Sequence, residues 1–81
     1  MDDITLDDVF EMLEEVEEDI DYENVTTLID EKYFDSFDII ATINAIDEEF
    51  DVTVPAKDIV PENFNSAAAI HAMILRLADE D

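Results

Sequence analysis

The sequence predicts an all-α domain, and three observations support that prediction. The 81-residue chain contains no glycine, the residue that most readily adopts the left-handed conformations of tight turns. Apolar residues recur at spacings of three and four in three separate segments, which is typical of amphipathic helices. Hydrophobic residues make up 48% of the chain, which is enough for one packed core, and the length leaves no room for a second. We therefore expect residues 1–81 to form a single helical domain.

The first predicted helix runs from about Leu6 to about Glu18. Thr5 is suited to cap it, because its side-chain oxygen can accept a hydrogen bond from a free N–H group of the first turn. Asp7 and Asp8 lie in that turn, where the helix dipole favours negative charge. The side chains expected to face the core are Leu6, Val9, Phe10, Leu13 and Val16.

The helical period is lost between Asp19 and Asp35. A connection of this length in a small domain is usually a structured or functional loop. The loop contains enough apolar residues to pack against a core, and these residues are Ile20, Tyr22, Val25, Leu28, Ile29, Tyr33 and Phe34.

The second predicted helix runs from about Ser36 to about Phe50. Its core stripe, which Ile40 widens, consists of Ile39, Ile43, Ile46 and Phe50. A second line of residues faces elsewhere and combines one bulky apolar side chain with acids; it consists of Phe37, Ala41, Asn44, Asp47 and Glu48. Together with Asp35 and Asp38, this composition suits a docking surface for a basic partner.

Two prolines punctuate the chain after the second helix. Pro55 breaks it, a short helical turn is expected from about Ala56 to about Ile59, and Pro61 is expected to end that turn.

The last predicted helix begins near Ser66, with Asn65 or Ser66 as its cap, and continues to about Leu77. Its spacing indicates one apolar face. The residues of that face are Ile70, Met73, Ile74 and Leu77.

Net charge narrows the possible partners. The chain has 25 Asp and Glu residues against three Lys and Arg, a formal charge of −22. Nucleic acid and anionic membranes are poor partners for such a surface, whereas basic protein patches complement it. The chain has no cysteine, and neither a leader-like N-terminal pattern nor a long apolar run is evident in the sequence. We expect a soluble, cytoplasmic protein that acts as a monomer and does not insert into membranes.

Catalytic and metal sites find little support in the sequence. His71 is the sole imidazole, and its place at the edge of an apolar stripe is typical of a packing residue. The EF-hand calcium loop needs a central glycine, which this chain lacks. We therefore predict that the protein is not an enzyme and has no dedicated metal site.

Ser36 stands out because it is one of only two serines and lies where a polar loop gives way to a helix. It is flanked by acids and by Phe34 and Phe37, which both look exposed. A hydroxyl at a helix N-terminus is well placed to hold a phosphate, because free N–H groups and the helix dipole favour negative charge there. No His or Lys adjoins Ser36 to activate it. The Ser36 hydroxyl therefore either caps the helix or accepts a chemical group that a separate enzyme transfers to it.

The residues around Ser36 resemble the acyl carrier protein family. Asp35-Ser36-Phe37 is similar to the family's Asp-Ser-Leu motif, and it opens an acidic helix that ends in an acidic run and Phe50. The segment Val52-Thr53-Val54-Pro55 matches the strand-like segment that follows in the family. Phe64-Asn65-Ser66 lies where the family opens its last helix. The resemblance covers nearly the whole chain in order and spacing.

This resemblance implies a small four-helix bundle with three main helices, a short third helix and a long loop between helices one and two. It implies that a phosphopantetheinyl transferase attaches 4′-phosphopantetheine, taken from coenzyme A, to Ser36 beside Asp35. The arm would carry acyl or aminoacyl groups as thioesters between loading ligases, synthases or transferases of fatty-acid, polyketide or related biosynthesis. The residues implied to contact basic patches of these partners are Phe37, Asp38, Ala41, Asn44, Asp47 and Glu48.

Departures from the family pattern leave alternatives open. Tyr33 and Phe34 stand where many members have a small residue, and Phe37 replaces the commoner Leu or Met. This pattern of residues is more similar to that of stand-alone carriers, including D-alanyl carriers of cell-wall teichoic acid modification. An acidic protein-interaction module without a modified serine and a small cation-binding protein are the alternatives from other classes.

Overall fold

The computed structural model describes residues 4–80 of the chain. Within this range the secondary structure is helical, with no β-strand, so the predicted all-α fold class is confirmed. No helix of residues 4–80 combines the length and the apolar character needed to cross a membrane. The elements in chain order are α1 (Leu6–Val16), α2 (Ser36–Phe50), a 3₁₀ turn (Ala56–Asp58), α3 (Pro61–Phe64) and α4 (Ala67–Glu80).

Helix α1 begins at the predicted cap and ends before the predicted terminus. The Asp8 N–H donates to Thr5 Oγ1 over 3.2 Å, and the Thr5 N–H donates to Asp8 Oδ2 over 3.0 Å, which forms a reciprocal capping box. The helix ends at Val16 rather than Glu18, because Glu17 is extended. The Tyr22 hydroxyl lies 2.9 Å from the carbonyl oxygen of Leu13 and 2.6 Å from that of Glu17, so the loop closes this helix end.

The core lies between α1, α2 and α4, with contributions from the loop and α3. From the predicted stripe of α1, Val9 and Leu13 are fully buried, while Met12, which the predicted stripe omitted, is fully buried as well. The predicted face of α4 is buried in full. The buried apolar residues of the described chain are Val9, Met12, Leu13, Tyr22, Leu28, Phe34, Ile46, Val52, Val54, Phe64, Ala67, Ile70, Met73, Ile74 and Leu77.

The buried face of α2 differs from the predicted one. Ile46 is fully buried, but Ile40, expected to widen the core stripe, is 56% exposed. Thr42 takes an interior position instead and is fully buried. Its hydroxyl donates to the Asp38 carbonyl oxygen over 2.7 Å, which satisfies a polar group that would otherwise destabilise the core.

Pro61 begins a helix, although the sequence pattern predicted that it would end one. It is the first residue of α3, where its missing N–H removes no helical hydrogen bond and its fixed φ suits the helix. The predicted short helical turn exists as the 3₁₀ turn, one residue shorter than expected.

Helix α4 uses the second of its two predicted caps. The Ala69 N–H donates to Ser66 Oγ over 3.0 Å, whereas the Asn65 side chain binds the loop instead. The helix continues to Glu80, three residues beyond the predicted end at Leu77.

Within residues 4–80, two residues take the left-handed backbone conformation that glycine adopts most readily. Asp51 caps the C-terminus of α2 with φ 57° and ψ 40°, and Lys32 turns the loop with φ 63°. Each of these two residues lowers the free energy of unfolding by about 1 kcal/mol relative to glycine in the same conformation. A chain without glycine therefore still makes these turns, at a modest cost in stability.

Replacing Ile46 with Ala should lower the free energy of unfolding by about 2–5 kcal/mol, because a fully buried side chain is lost and a cavity remains. Urea unfolding followed by circular dichroism measures this change. Ile40→Ala is the matched control on the same helix, and its effect should be much smaller because Ile40 is exposed. Equal losses in the two variants would contradict the burial pattern of α2.

Candidate functional site

Ser36 is the first residue of α2, but it does not cap the helix. Asp35 holds the cap position: the Asp38 N–H donates to Asp35 Oδ1 over 3.0 Å, and the Asp35 N–H donates to Asp38 Oδ2 over 3.2 Å. The interpretation of Ser36 as a helix cap is therefore wrong. Its side chain is exposed, and within residues 4–80 its hydroxyl makes no hydrogen bond. The hydroxyl is thus open to a reagent from solvent.

The buried side chain of Phe34 determines where α2 begins and therefore where Ser36 lies. Phe34 was expected to be exposed, but only 3% of it is, and its ring packs edge-on against Tyr22 with centroids 6.1 Å apart. Its N–H also donates to the Leu28 carbonyl oxygen over 2.9 Å. Phe37, in contrast, is 80% exposed as expected. The chain therefore enters α2 from a buried aromatic anchor and presents the next residues outward.

Asn65 holds the loop that precedes Ser36 in the chain. Its carbonyl oxygen accepts from the Leu28 N–H over 2.8 Å. Its side-chain Oδ1 accepts from the N–H groups of Ile29 and Asp30 over 3.0 and 3.1 Å. These bonds join residues more than thirty positions apart. No local pattern in the sequence could have shown them.

Carboxylates crowd the start of α2. A hydrogen bond with Asp38, followed by the negative charges of Asp38 and Asp35, raises the pKa of Glu17 above its ordinary value of 4.5. Burial, followed by the charges of Glu17 and Asp38, raises the pKa of the Tyr22 hydroxyl, which therefore stays protonated. The end of α1 thus meets the start of α2 in a strongly acidic region beside Ser36.

The surroundings of Ser36 do not make it a nucleophile. Within residues 4–80, no His or Lys forms a hydrogen bond with Ser36. The Nε2 atom of His71, on α4, lies 2.7 Å from the Ile4 carbonyl oxygen instead. A hydroxyl without a base is a weak nucleophile. The Ser36 hydroxyl is therefore an accessible attachment point, and a base from another protein must activate it.

The predicted docking residues of α2 are mostly exposed and share one side of the helix. Phe37, Ala41, Asn44, Asp47 and Glu48 all face solvent.

Asp38 and Ile40 depart from the expected arrangement of this face. Asp38 is half-buried and engaged in the capping box, so it is less available to a partner than expected. Ile40, predicted to lie in the core, joins the face as a second apolar residue beside Phe37.

A small apolar cleft begins one helical turn from Ser36. Its volume is about 80 Å³. The lining residues come from α2, the loop and the α3 region, and they are Ile29, Ile39, Ile59, Val60, Pro61 and Phe64. Sequence reasoning missed this cleft because its walls come from three separate segments, and no single segment shows a signal for it.

A larger depression of about 510 Å³ lies between α1 and the loop, and it includes none of the predicted site residues. Its walls are mainly carboxylates, with Phe10, Ile20 and Tyr22 among them. In the part of the chain that the structure describes, no group of three or more acidic or imidazole side chains is arranged to hold a metal ion. The acidic walls are therefore treated as solvated surface.

Lowering the pH from about 7 to about 5 should stabilise the fold. A carboxyl with a raised pKa binds its proton more tightly in the folded state, so its contribution is complete below 4.5 and is lost as the pH rises through the folded-state pKa. Thermal unfolding across this range measures the effect.

Glu17→Gln should melt at a higher temperature than the unsubstituted protein at neutral pH and should depend less on pH. Glu18→Gln, which makes the same charge change on the neighbouring exposed residue, is the control. If both variants kept the pH dependence of the unsubstituted protein, the contact between Glu17 and Asp38 would not contribute to it.

Comparisons of the chain with models of protein families, with curated proteins and with solved structures found no match.

Proposed function

We propose that this protein is a carrier that holds acyl groups as thioesters on a 4′-phosphopantetheine arm attached to Ser36. The observation that carries the proposal is the position of this hydroxyl, which is exposed at the first residue of α2 and free because Asp35 takes the cap. The N–H groups of the first helical turn and the helix dipole favour a phosphate at this position. The resemblance of the surrounding residues to acyl carrier proteins supports the same conclusion.

Attachment needs an external enzyme, because Ser36 has no base of its own. A phosphopantetheinyl transferase would take the hydroxyl proton while the Ser36 oxygen forms a bond to the phosphorus next to the pantetheine of coenzyme A. The pyrophosphate bond breaks, and adenosine bisphosphate leaves. The neighbouring acids Asp35 and Asp38 repel the phosphate and offset part of the attraction of the helix N-terminus, so the covalent bond holds the arm.

The chain itself has no cysteine, so the thiol that carries the cargo would come with the arm. The apolar cleft beside Ile39 favours an aliphatic acyl group over a D-alanyl group, since the lining offers no partner for an ammonium ion. This favours fatty-acid, polyketide or related biosynthesis over cell-wall modification.

The exposed face of α2 is the proposed contact for partner enzymes. Phe37 and Ile40 supply an apolar centre, and Asp47 and Glu48 supply charge at the far end of the same face. An apolar centre with a charged rim is typical of protein interfaces, and the charge favours partners with basic patches.

Incubation with coenzyme A and a promiscuous phosphopantetheinyl transferase should add one phosphopantetheine to the protein, measured as intact mass. Ser36→Ala should abolish the addition. Ser66→Ala is the matched control, because it removes the only other serine, which caps α4, and should leave the addition intact. An unmodified wild-type chain would contradict the carrier function and would favour the acidic interaction module.

Replacing Asp47 and Glu48 with Lys should slow modification by roughly tenfold or more at low salt, because electrostatic steering towards a basic enzyme is lost. The difference should shrink as salt is added. The initial rate of modification over a series of salt concentrations measures both effects.

Asp7→Lys combined with Glu11→Lys makes the same charge change on α1, where both residues are exposed, and should slow the reaction less. Equal rates for the two double variants would show that net charge matters rather than the α2 face.

A further inference from the structure

Arg76 makes the ion pairs of the described chain, although carboxylates vastly outnumber basic groups. Its Nη2 lies 2.6 Å from Asp58 Oδ1, and its Nη1 lies 3.2 Å from Glu80 Oε2. The Asp58 side chain is only 11% exposed, whereas the Glu80 side chain is 53% exposed. A hydrogen bond to Asp58, the largest cause, raises the pKa of Arg76. The contact with Asp58 is therefore the one that involves a buried charge.

The backbone of Asp58 makes several of the hydrogen bonds within the segment between Pro55 and Phe64. Its N–H donates to the Pro55 carbonyl oxygen over 2.9 Å and closes the 3₁₀ turn. Its own carbonyl oxygen accepts from the Val60 N–H over 3.0 Å and from Asn63 Nδ2 over 2.8 Å. A movement of Asp58 therefore moves both the turn and the start of α3.

The side chain of Asp58 adds one polar contact to the apolar packing of α3 against α4. Among residues 4–80, the bond from Arg76 is the only side-chain hydrogen bond between the segment and α4. Asp58 Oδ2 is buried and has no partner in the described chain. A buried carboxylate with one oxygen unsatisfied is held less firmly than one in a bidentate pair with arginine.

The same segment forms one wall of the apolar cleft. Ile59 and Val60 follow Asp58 directly, and Pro61 and Phe64 complete that wall. Ile39 of α2 lies on the other side, one turn from Ser36. Neither Asp58 nor Arg76 lines the cleft, although Asp58 is joined directly to its wall along the chain.

We propose that Arg76 and Asp58 form a latch that holds the α3 wall against α4 and thereby limits the size of the apolar group that the cleft admits. The latch is the ion pair between these two residues. While it is closed, the cleft accepts a short aliphatic group; when it opens, the segment from Ala56 to Phe64 moves outward and a longer group can enter. This inference rests on the proposed function only in the identity of the bound group.

The size of the closed cleft supports a limit of this kind. Its volume of about 80 Å³ is well below the roughly 150 Å³ of an apolar cavity that holds a benzene molecule. Packed interiors resist gradual expansion, so a larger guest requires a wall to move. The α3 wall is the candidate because α3 is a single short turn of four residues.

Amide hydrogen exchange of the unmodified chain tests the latch directly. The reporters are the N–H groups of Ile59, Val60 and Asn63, which bond within the segment. Arg76→Gln should speed their exchange by about tenfold or more while leaving Leu13 of α1 unchanged.

Two further variants make this result specific. Asp58→Asn removes the ion pair without leaving a buried unpaired charge, and it should speed the same amides even where Arg76→Gln destabilises the whole fold. Lys57→Gln removes a positive charge from the same turn and is the matched control, which should leave exchange unchanged. Unchanged exchange, or a uniform rise across all helices, in the Asp58→Asn variant would overturn the latch.

Titration of the unmodified chain with ethanol and octanol tests the size limit. Methyl resonances of Ile39 and Ile59 should shift with ethanol in every variant, and with octanol only when the latch is removed. Octanol shifts of equal size in the unsubstituted protein would overturn the limit. Because neither experiment uses the modified serine, a missing phosphopantetheine adduct would contradict the carrier function without bearing on the latch.

Discussion

The packing of Phe34 against Tyr22 is the contact on which the rest of the site depends. Tyr22 closes the end of α1 through its hydroxyl, and its ring receives Phe34 edge-on. With Phe34 buried, the next residue, Asp35, is at the start of α2 and takes the cap. Ser36 then falls at the first helical position with its hydroxyl unused. One aromatic contact thus brings together the end of α1, the loop and the start of α2.

Repulsion between carboxylates opposes this fold where α1 meets α2. Glu17 lies beside Asp38, and Glu49, whose pKa is raised first by burial and then by Glu15, lies where α2 meets α1. Ion pairs are concentrated at Arg76. The apolar core and the helix caps therefore carry the stability, since exposed ion pairs each contribute little. The same repulsion leaves a surface that attracts basic partners over long range.

The proposed carrier function divides the work between the chain and its partners. The chain supplies an accessible hydroxyl, a charged face with an apolar centre, and a small apolar cleft one turn away. Under this proposal, the activating base and the reactive thiol would both come from outside. The domain would then need only to position groups for other proteins, which a small domain can do. The Asp58–Arg76 pair adds control over how much of a bound group the cleft can shelter.

The sequence by itself determined the three main helices, the Thr5 cap, the buried face of α4 and the position of Ser36 at a helix start. These features depend on residues within one or two turns of each other, so local spacing and capping chemistry reveal them. Only the tertiary structure decided that Phe34 is buried, that Ile40 is exposed and that a cleft lies beside Ile39. Each of these depends on contacts between segments far apart in the chain, because an apolar residue at the edge of a stripe is buried only if a neighbouring element covers it.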